Sequence, residues 1–263
     1  MFFMRLVSVP GINGLGKTKG CENSFCGFNL VGEKLILNTE NIETQLDQLL
    51  NDSKKYFESD EKVLFFGGDH SIGYPLVNNF FRRFGEDSKL IVFDAHPDLM
   101  EPMSEPGHEE WLRALIEKGF NPKNVLVVGV RRNSNNVEKK EIEYALKKGI
   151  KIIYSDEFDS RRGEISNFVS SGKIYCSIDI DVFDSSIISC TTYPEEEGLN
   201  EEEFFGLLRE IVGRIDFFDL VEVNFEKGGI APPGMPQTAE YWGKEKEKTK
   251  CVVGEVLKMV GAK

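Results

Sequence analysis

Apolar residues gather in short runs along the chain: 5–10 (RLVSVP), 62–68 (KVLFFGG), 89–95 (KLIVFDA), 124–130 (NVLVVGV), 151–155 (KIIYS), 173–183 (KIYCSIDIDVF) and 217–225 (FFDLVEVNF). Most are continuously apolar rather than alternating, the pattern of strands covered on both faces. Between them, amphipathic stretches at 40–57, 71–84, 108–118, 136–148, 158–171 and 200–214 predict helices. Asn38 or Thr39 is placed to cap the first, and Asn200 precedes an acidic turn suited to a helix N-terminus. The stretch 237–260 has weaker helical character, broken by Gly243 and Gly254. Strand–helix alternation with short connections predicts an α/β protein, a parallel sheet with helices on both faces. No linker, repeat or low-complexity segment interrupts it beyond the charge run KEKEKTK at 244–250, so a single domain over 1–263 is expected.

Composition narrows the partners. With 44 acidic against 32 basic residues the net charge is −12, which argues against nucleic acid, since that partner demands a basic face. Five cysteines without a CxxC pair read as a reduced protein without structural zinc. The apolar part of MFFMRLVSVPG is too short for a signal peptide, and no run of about 18 apolar residues exists. The expectation is a cytoplasmic protein with no membrane partner.

In sheets of this kind, function collects at the carboxyl ends of the strands. There the sequence places Asp69 and His70 (GGDHS), Asp94, His96 and Asp98 (FDAHPD), Ser177, Asp179, Asp181 and Asp184 (SIDIDVFD), and Glu222 and Asn224 (LVEVN). Extended backbone turns alternate residues to one face, so the two-residue spacings in DAHPD and DID converge their side chains. Acidic groups crowded behind apolar runs are costly to bury unless a cation sits among them. The candidate ligands are His70, Asp94, His96, Asp98, Asp179 and Asp181: two imidazoles, four carboxylates and no thiolate. That donor set suits Mn²⁺, Co²⁺ or Fe²⁺, and four carboxylates exceed what one divalent ion needs, so two ions are expected. A dinuclear pair can lower the pKa of a bridging water, which points to metal-assisted hydrolysis.

These motifs resemble the ureohydrolase family (arginase, agmatinase, formimidoylglutamase). GGDHS, DAHPD and SIDIDVFD are similar to its three metal motifs in the family's order, LVEVN to its substrate-binding segment, and VVGVRR to a strand ending in GxR. The resemblance covers residue 5 to about 225. It implies a three-layer α/β/α fold with a mainly parallel, about eight-stranded sheet, and two Mn²⁺ per subunit. His70, Asp94, Asp98 and Asp179 would hold one ion, and His96 and Asp181 the other, with Asp94 and Asp179 bridging. Asp98 would orient a hydroxide that attacks a guanidinium carbon, His108 would shuttle protons, and Glu222 would pair with the substrate's planar cation. His108 has a second reading, as a surface histidine capping EEWLRALIEKG. The family implies a homo-oligomer, trimer or hexamer.

Several positions depart from the family pattern. Ser185 replaces a proline, Tyr193 stands at a threonine position, and Glu195 to Glu197 replace glycines in TTYPEEEG. Glu109 follows His108 where a glycine is usual, and EVNFEKGG lacks the usual proline and aspartate. Met100 occupies the place of an asparagine that reads the α-carboxylate of arginine. Glu101, Glu105, Glu109 and Glu195 to Glu197 are candidates for an acidic rim, which would favour a cationic tail. The expected reaction is therefore hydrolysis of a guanidino or amidino C–N bond, agmatine-like before arginine. A metal-dependent amide hydrolase or deacetylase on the same scaffold, or a catalytically silent metal-binding assembly protein, are the alternatives.

Overall fold

The computed structural model describes residues 4–14, 16–38, 41–226 and 238–262. Eight strands form one sheet: β1 Arg5–Ser8, β2 Glu33–Lys34, β3 Val63–Phe66, β4 Ser88–Phe93, β5 Val125–Val130, β6 Lys151–Tyr154, β7 Lys173–Asp179 and β8 Phe217–Val221. Their order is β2-β1-β3-β8-β7-β4-β5-β6, and every pairing is parallel.

The continuous apolar runs follow from a sheet buried on both faces. Val63 and Phe65 enter one core while Leu64 and Phe66 enter the other, and β4 splits the same way into Leu90/Val92 and Ile91/Phe93. The first core is closed by α1 (Ile42–Phe57), α2 (Gly73–Phe84), α3 (Trp111–Glu117) and α4 (Lys139–Lys148). The second is closed by α5 (Phe158–Phe168), α6 (Glu201–Ile211) and α7 (Ala239–Met259). The three-layer α/β/α architecture expected from the sequence is thus the one observed.

Four local expectations change. β2 was not anticipated; a two-residue strand carries no periodicity, and it is held by pairing to β1 and by Arg5 on Glu33. Residues 239–259 form one unbroken helix through Gly243 and Gly254. Each glycine costs a helix about 1 kcal/mol, but burial of Val252, Val253, Val256 and Leu257 holds the C-terminal half, and Thr238 Oγ1 caps the start through Tyr241 N at 3.2 Å. The cap position of α1 is Asn41 rather than Asn38, whose carbonyl accepts from Gln45 Nε2; Thr39 lies outside the described residues. Finally, the strands end earlier than the apolar runs, because the chain leaves the sheet where the acidic motifs begin. Asn200 caps α6 as expected, with a reciprocal bond from its own N–H to Glu203.

Candidate metal centre and active site

Strands β3, β8, β7 and β4 are consecutive in the sheet, so their carboxyl ends bring all four motifs to one place. After β3, Gly67 (φ 108°) and Gly68 (φ 79°) turn the chain through left-handed backbone that favours glycine, and a short 3-10 turn at His70–Ile72 carries the imidazole. Asp94, His96 and Asp98 all follow the last residue of β4, and Asp98 itself is left-handed at φ 51°. Asp179 ends β7, and Asp181 lies in the 3-10 turn Ile180–Val182. The two-residue spacing therefore selects the right side chains, but turns rather than an extended pleat bring them together.

The six candidate ligands converge. His70 Nδ1 lies 2.9 Å from Asp94 Oδ2, 3.0 Å from Asp98 Oδ2 and 3.3 Å from Asp179 Oδ2. His96 Nδ1 lies 3.0 Å from Asp181 Oδ2 and 3.5 Å from Asp94 Oδ1. Two groups result, His70/Asp94/Asp179 and Asp94/His96/Asp181, with Asp94 common to both. Despite these distances, His70 Nδ1 and Asp94 Oδ2 are buried without a hydrogen-bond partner. Buried polar atoms this close that still lack a hydrogen-bond partner fit a cation between them.

The electrostatics carry the same demand. Burial, followed by the charge of Asp94, pushes the Asp98 carboxyl up to about 7. Burial also drives Asp179 well upward, with Asp181 and Asp94 adding to it. Burial opposes a charged His70, yet the carboxylates of Asp179, Asp94 and Asp98 close to its Nδ1 outweigh it and raise that imidazole. Without a cation the cluster keeps protons to offset its own charge.

A surrounding set of polar groups fixes the ligands. His70 Nε2 meets Ser177 Oγ at 2.8 Å, and Ser177 donates to Asp219, a fully buried acid within the apolar run of β8. Trp111 Nε1 donates to Asp98 Oδ2 at 2.7 Å, and its ring lies 4.7 Å from that of His70. Asp181 Oδ1 accepts from Ala95 N. Arg131, from the GxR strand, is buried and donates to the carbonyls of Asp181, Val182, Phe183 and Glu196, which pins the turn after β7. Asp184 is a loop tie, accepting from Ser186 N and Gly198 N.

Beside the cluster, Glu222 has left-handed backbone at φ 63° and is buried. Its Oε1 accepts from His70 N at 2.9 Å, and its Oε2 lies 3.5 Å from Cys21 Sγ. Burial, then the charge of Asp69, pushes its carboxyl up to about 8. Asp69 is absorbed structurally: Thr18 Oγ1, Asn13 N and Ser71 all donate to it, tying the N-terminal loop over the site. A cavity of about 250 Å³ opens on this cluster, with His96, Asp98, His108, Tyr193, Glu222 and Lys17 among its walls. His108 is buried, and α3 begins only at Trp111 behind Glu110, so the surface-cap reading of His108 fails.

The acidic rim is corrected. Of its proposed members only Glu109 lines this cavity, and it pairs with Lys17 at 3.6 Å. Glu101 turns outward to Arg113, and Glu105 borders a smaller neighbouring cleft. Glu195 turns inward, where His96 Nε2, Ser134 and Asn136 surround it. Glu138 and Glu141, which the rim reading omitted, line the cavity instead. Lys227 to Gly229 of EVNFEKGG lie outside the described residues.

Fold and site together define a parallel α/β protein with a carboxylate–imidazole centre at the carboxyl edge of its sheet. The sequence model of the arginase family matches residues 20–228, and the chain belongs to that family. Among curated relatives, an arginase of Glycine max is 28% identical over 189 residues, covering 69% of this chain and 53% of the relative. An agmatinase of Pyrococcus horikoshii is 31% identical over 172 residues, covering 63% and 56%. The chain spans about half the length of the curated relatives it matches. A formiminoglutamase of Trypanosoma cruzi, solved with Mn²⁺, superposes with a TM-score of 0.76 at 16% identity, covering 95% of this chain and 91% of that one.

Proposed function

We propose that this chain is a hydrolase of guanidino or amidino C–N bonds working with two divalent ions, Mn²⁺ first, with Co²⁺ and Fe²⁺ sharing the donor preference. The observation that carries the reading is Glu222, a buried carboxylate beside the six-ligand cluster, where a planar cation would offset its charge. His70, Asp94, Asp98 and Asp179 would hold one ion, and His96 and Asp181 the other, with Asp94 and Asp179 shared. Bound there, the ions supply the lowered water pKa that makes hydrolysis run near neutrality.

The chain's own residues do the rest. Glu222 receives the guanidinium or amidine edge, its Oε1 already oriented by His70 N. Trp111 donates to Oδ2 of Asp98 and fixes the carboxylate that would take a proton from the attacking water. His108 has a buried Nε2 without a hydrogen-bond partner and moves a proton to the departing amine. Glu109 and Glu138 in the cavity wall are already paired, to Lys17 and Lys140, and Met100 beside them offers no donor to an α-carboxylate, which puts a tail without that group first. Agmatine-like compounds are therefore the leading substrates, and a cytoplasmic homo-oligomer the leading form; no described helix is long and apolar enough to cross a membrane.

The test is a panel of agmatine, arginine, guanidinobutyrate and formimidoylglutamate on the Mn²⁺-loaded protein, read as urea or formamide. Turnover led by agmatine is expected; none from any of them, with metal bound, overturns the reading. Glu222→Gln should lower kcat/KM by about 100-fold or more, since a buried charge pair is broken. Unchanged activity in that variant would point instead to an amide hydrolase, whose neutral substrate needs no buried anion.

A further inference from the structure

Tyr193 belongs to the TTYPEEEG segment and lines the cavity beside His96 and His108. It lies nearly parallel to the His108 imidazole, with centroids 5.8 Å apart at 14°. It stands edge-on to His96 at 6.2 Å and 75°. Lys17 shares the cavity wall with it and is itself paired to Glu109 at 3.6 Å.

A tyrosine ring has only two side-chain torsions, and here the stack on His108 holds its face. The result is a stiff wall rather than a mobile side chain. Glu222 and Tyr193 line the same cavity, so the ring takes volume from any tail that extends from a group seated on Glu222. We propose that Tyr193, braced by His108, is a specificity-determining residue that sets the length of substrate tail the cavity accepts. This inference rests on the guanidino or amidino hydrolase reading above.

The experiment uses the Mn²⁺-loaded full chain and a series of ω-aminoalkylguanidines with two to six methylenes. Hydrolysis is read as urea, and binding by calorimetry, so each compound gives a value whether or not it turns over. One methylene too many in a closed pocket lowers kcat/KM or affinity by about tenfold or more. The wild type should fall off beyond one length. Tyr193→Thr should shift that limit toward longer tails, raising the long-to-short ratio about tenfold, and Tyr193→Trp should shift it toward shorter ones. Tyr193→Phe keeps ring and stack and should keep the wild-type profile. Because the readout is a ratio within each variant, partial loss of folded protein does not move it; if Tyr193→Thr fails to fold, Tyr193→Trp decides. An unchanged profile in a folded variant overturns the proposal while leaving the hydrolase reading intact. A wild type that neither binds nor hydrolyses any member removes that reading and this proposal with it.

Discussion

His96 Nε2 sits 3.3 Å from Glu195 Oε1, so the ring that faces Asp181 and Asp94 through Nδ1 is held from behind by a carboxylate. Ser134 Oγ and Asn136 Nδ2 also donate to that oxygen, fixing it in place. A carboxylate behind a ligating imidazole sets its tautomer and basicity, and losing it typically lowers metal affinity about 10–100-fold. Glu195→Ala should therefore weaken one of two Mn²⁺ binding steps by that factor and spare the other. Calorimetric titration, with metal analysis after desalting, checks this; two steps of unchanged affinity would remove Glu195 from the centre.

Ser177 plays the matching part for His70, relaying to buried Asp219. Ser177→Ala leaves both neighbours short of a partner, at a cost of about 1–3 kcal/mol. The expected outcome is a lower denaturation midpoint together with weaker binding of the His70-side ion. A variant as stable as the parent, with both metal affinities unchanged, would contradict the relay.

The metal-free protein should lose stability as pH rises. Asp98 at about 7 and Glu222 at about 8 lie above their unfolded values near 4, so the folded state binds more protons between these limits. Their contribution is fully present below about pH 4 and is lost as pH climbs through 7 and 8. His70, raised by its acidic neighbours, acts in the same direction. Denaturant midpoints at pH 5 and pH 8 should show this fall without metal. Mn²⁺ should shrink or reverse it, because deprotonated ligands bind metal more strongly. A metal-free protein more stable at pH 8 than at pH 5 would refute the sign.

Asn200→Ala offers a control remote from the chemistry. Its Oδ1 accepts from Glu203 N at 3.0 Å to start α6, whose Phe204, Phe205, Leu207, Leu208 and Ile211 are buried. Loss of such a cap costs about 1 kcal/mol, or roughly 2 °C in Tm at this chain length. Metal stoichiometry should not change, and calorimetry with metal analysis reads both.

Much of the fold was legible because a sheet covered on both faces writes itself as uninterrupted apolar runs. Strand ends were not, since the chain turns out of the sheet after Phe93 and Asp179 while the sequence goes on in apolar company. The unbroken course of α7 through Gly243 and Gly254 was hidden as well, because what holds it is burial against another layer rather than intrinsic propensity. Asp219 had a visible signal, a lone acid inside FFDLV. Trp111 and Glu195 had none, for each meets its candidate metal ligand, Asp98 and His96, across a separation of 13 and 99 residues.

By itself the sequence determined the element alternation, the six metal-ligand candidates and Glu222, because burying that many charges behind apolar runs has few physical solutions. Only the tertiary structure decided that β3, β8, β7 and β4 lie side by side, which brings those charges to one point. It alone turned Glu195 from the rim to the back of His96 and laid Tyr193 on His108. The reason is that hydrophobic periodicity specifies which face a residue takes, whereas the partner across that face is chosen by strand order and by loops whose conformation no local pattern encodes.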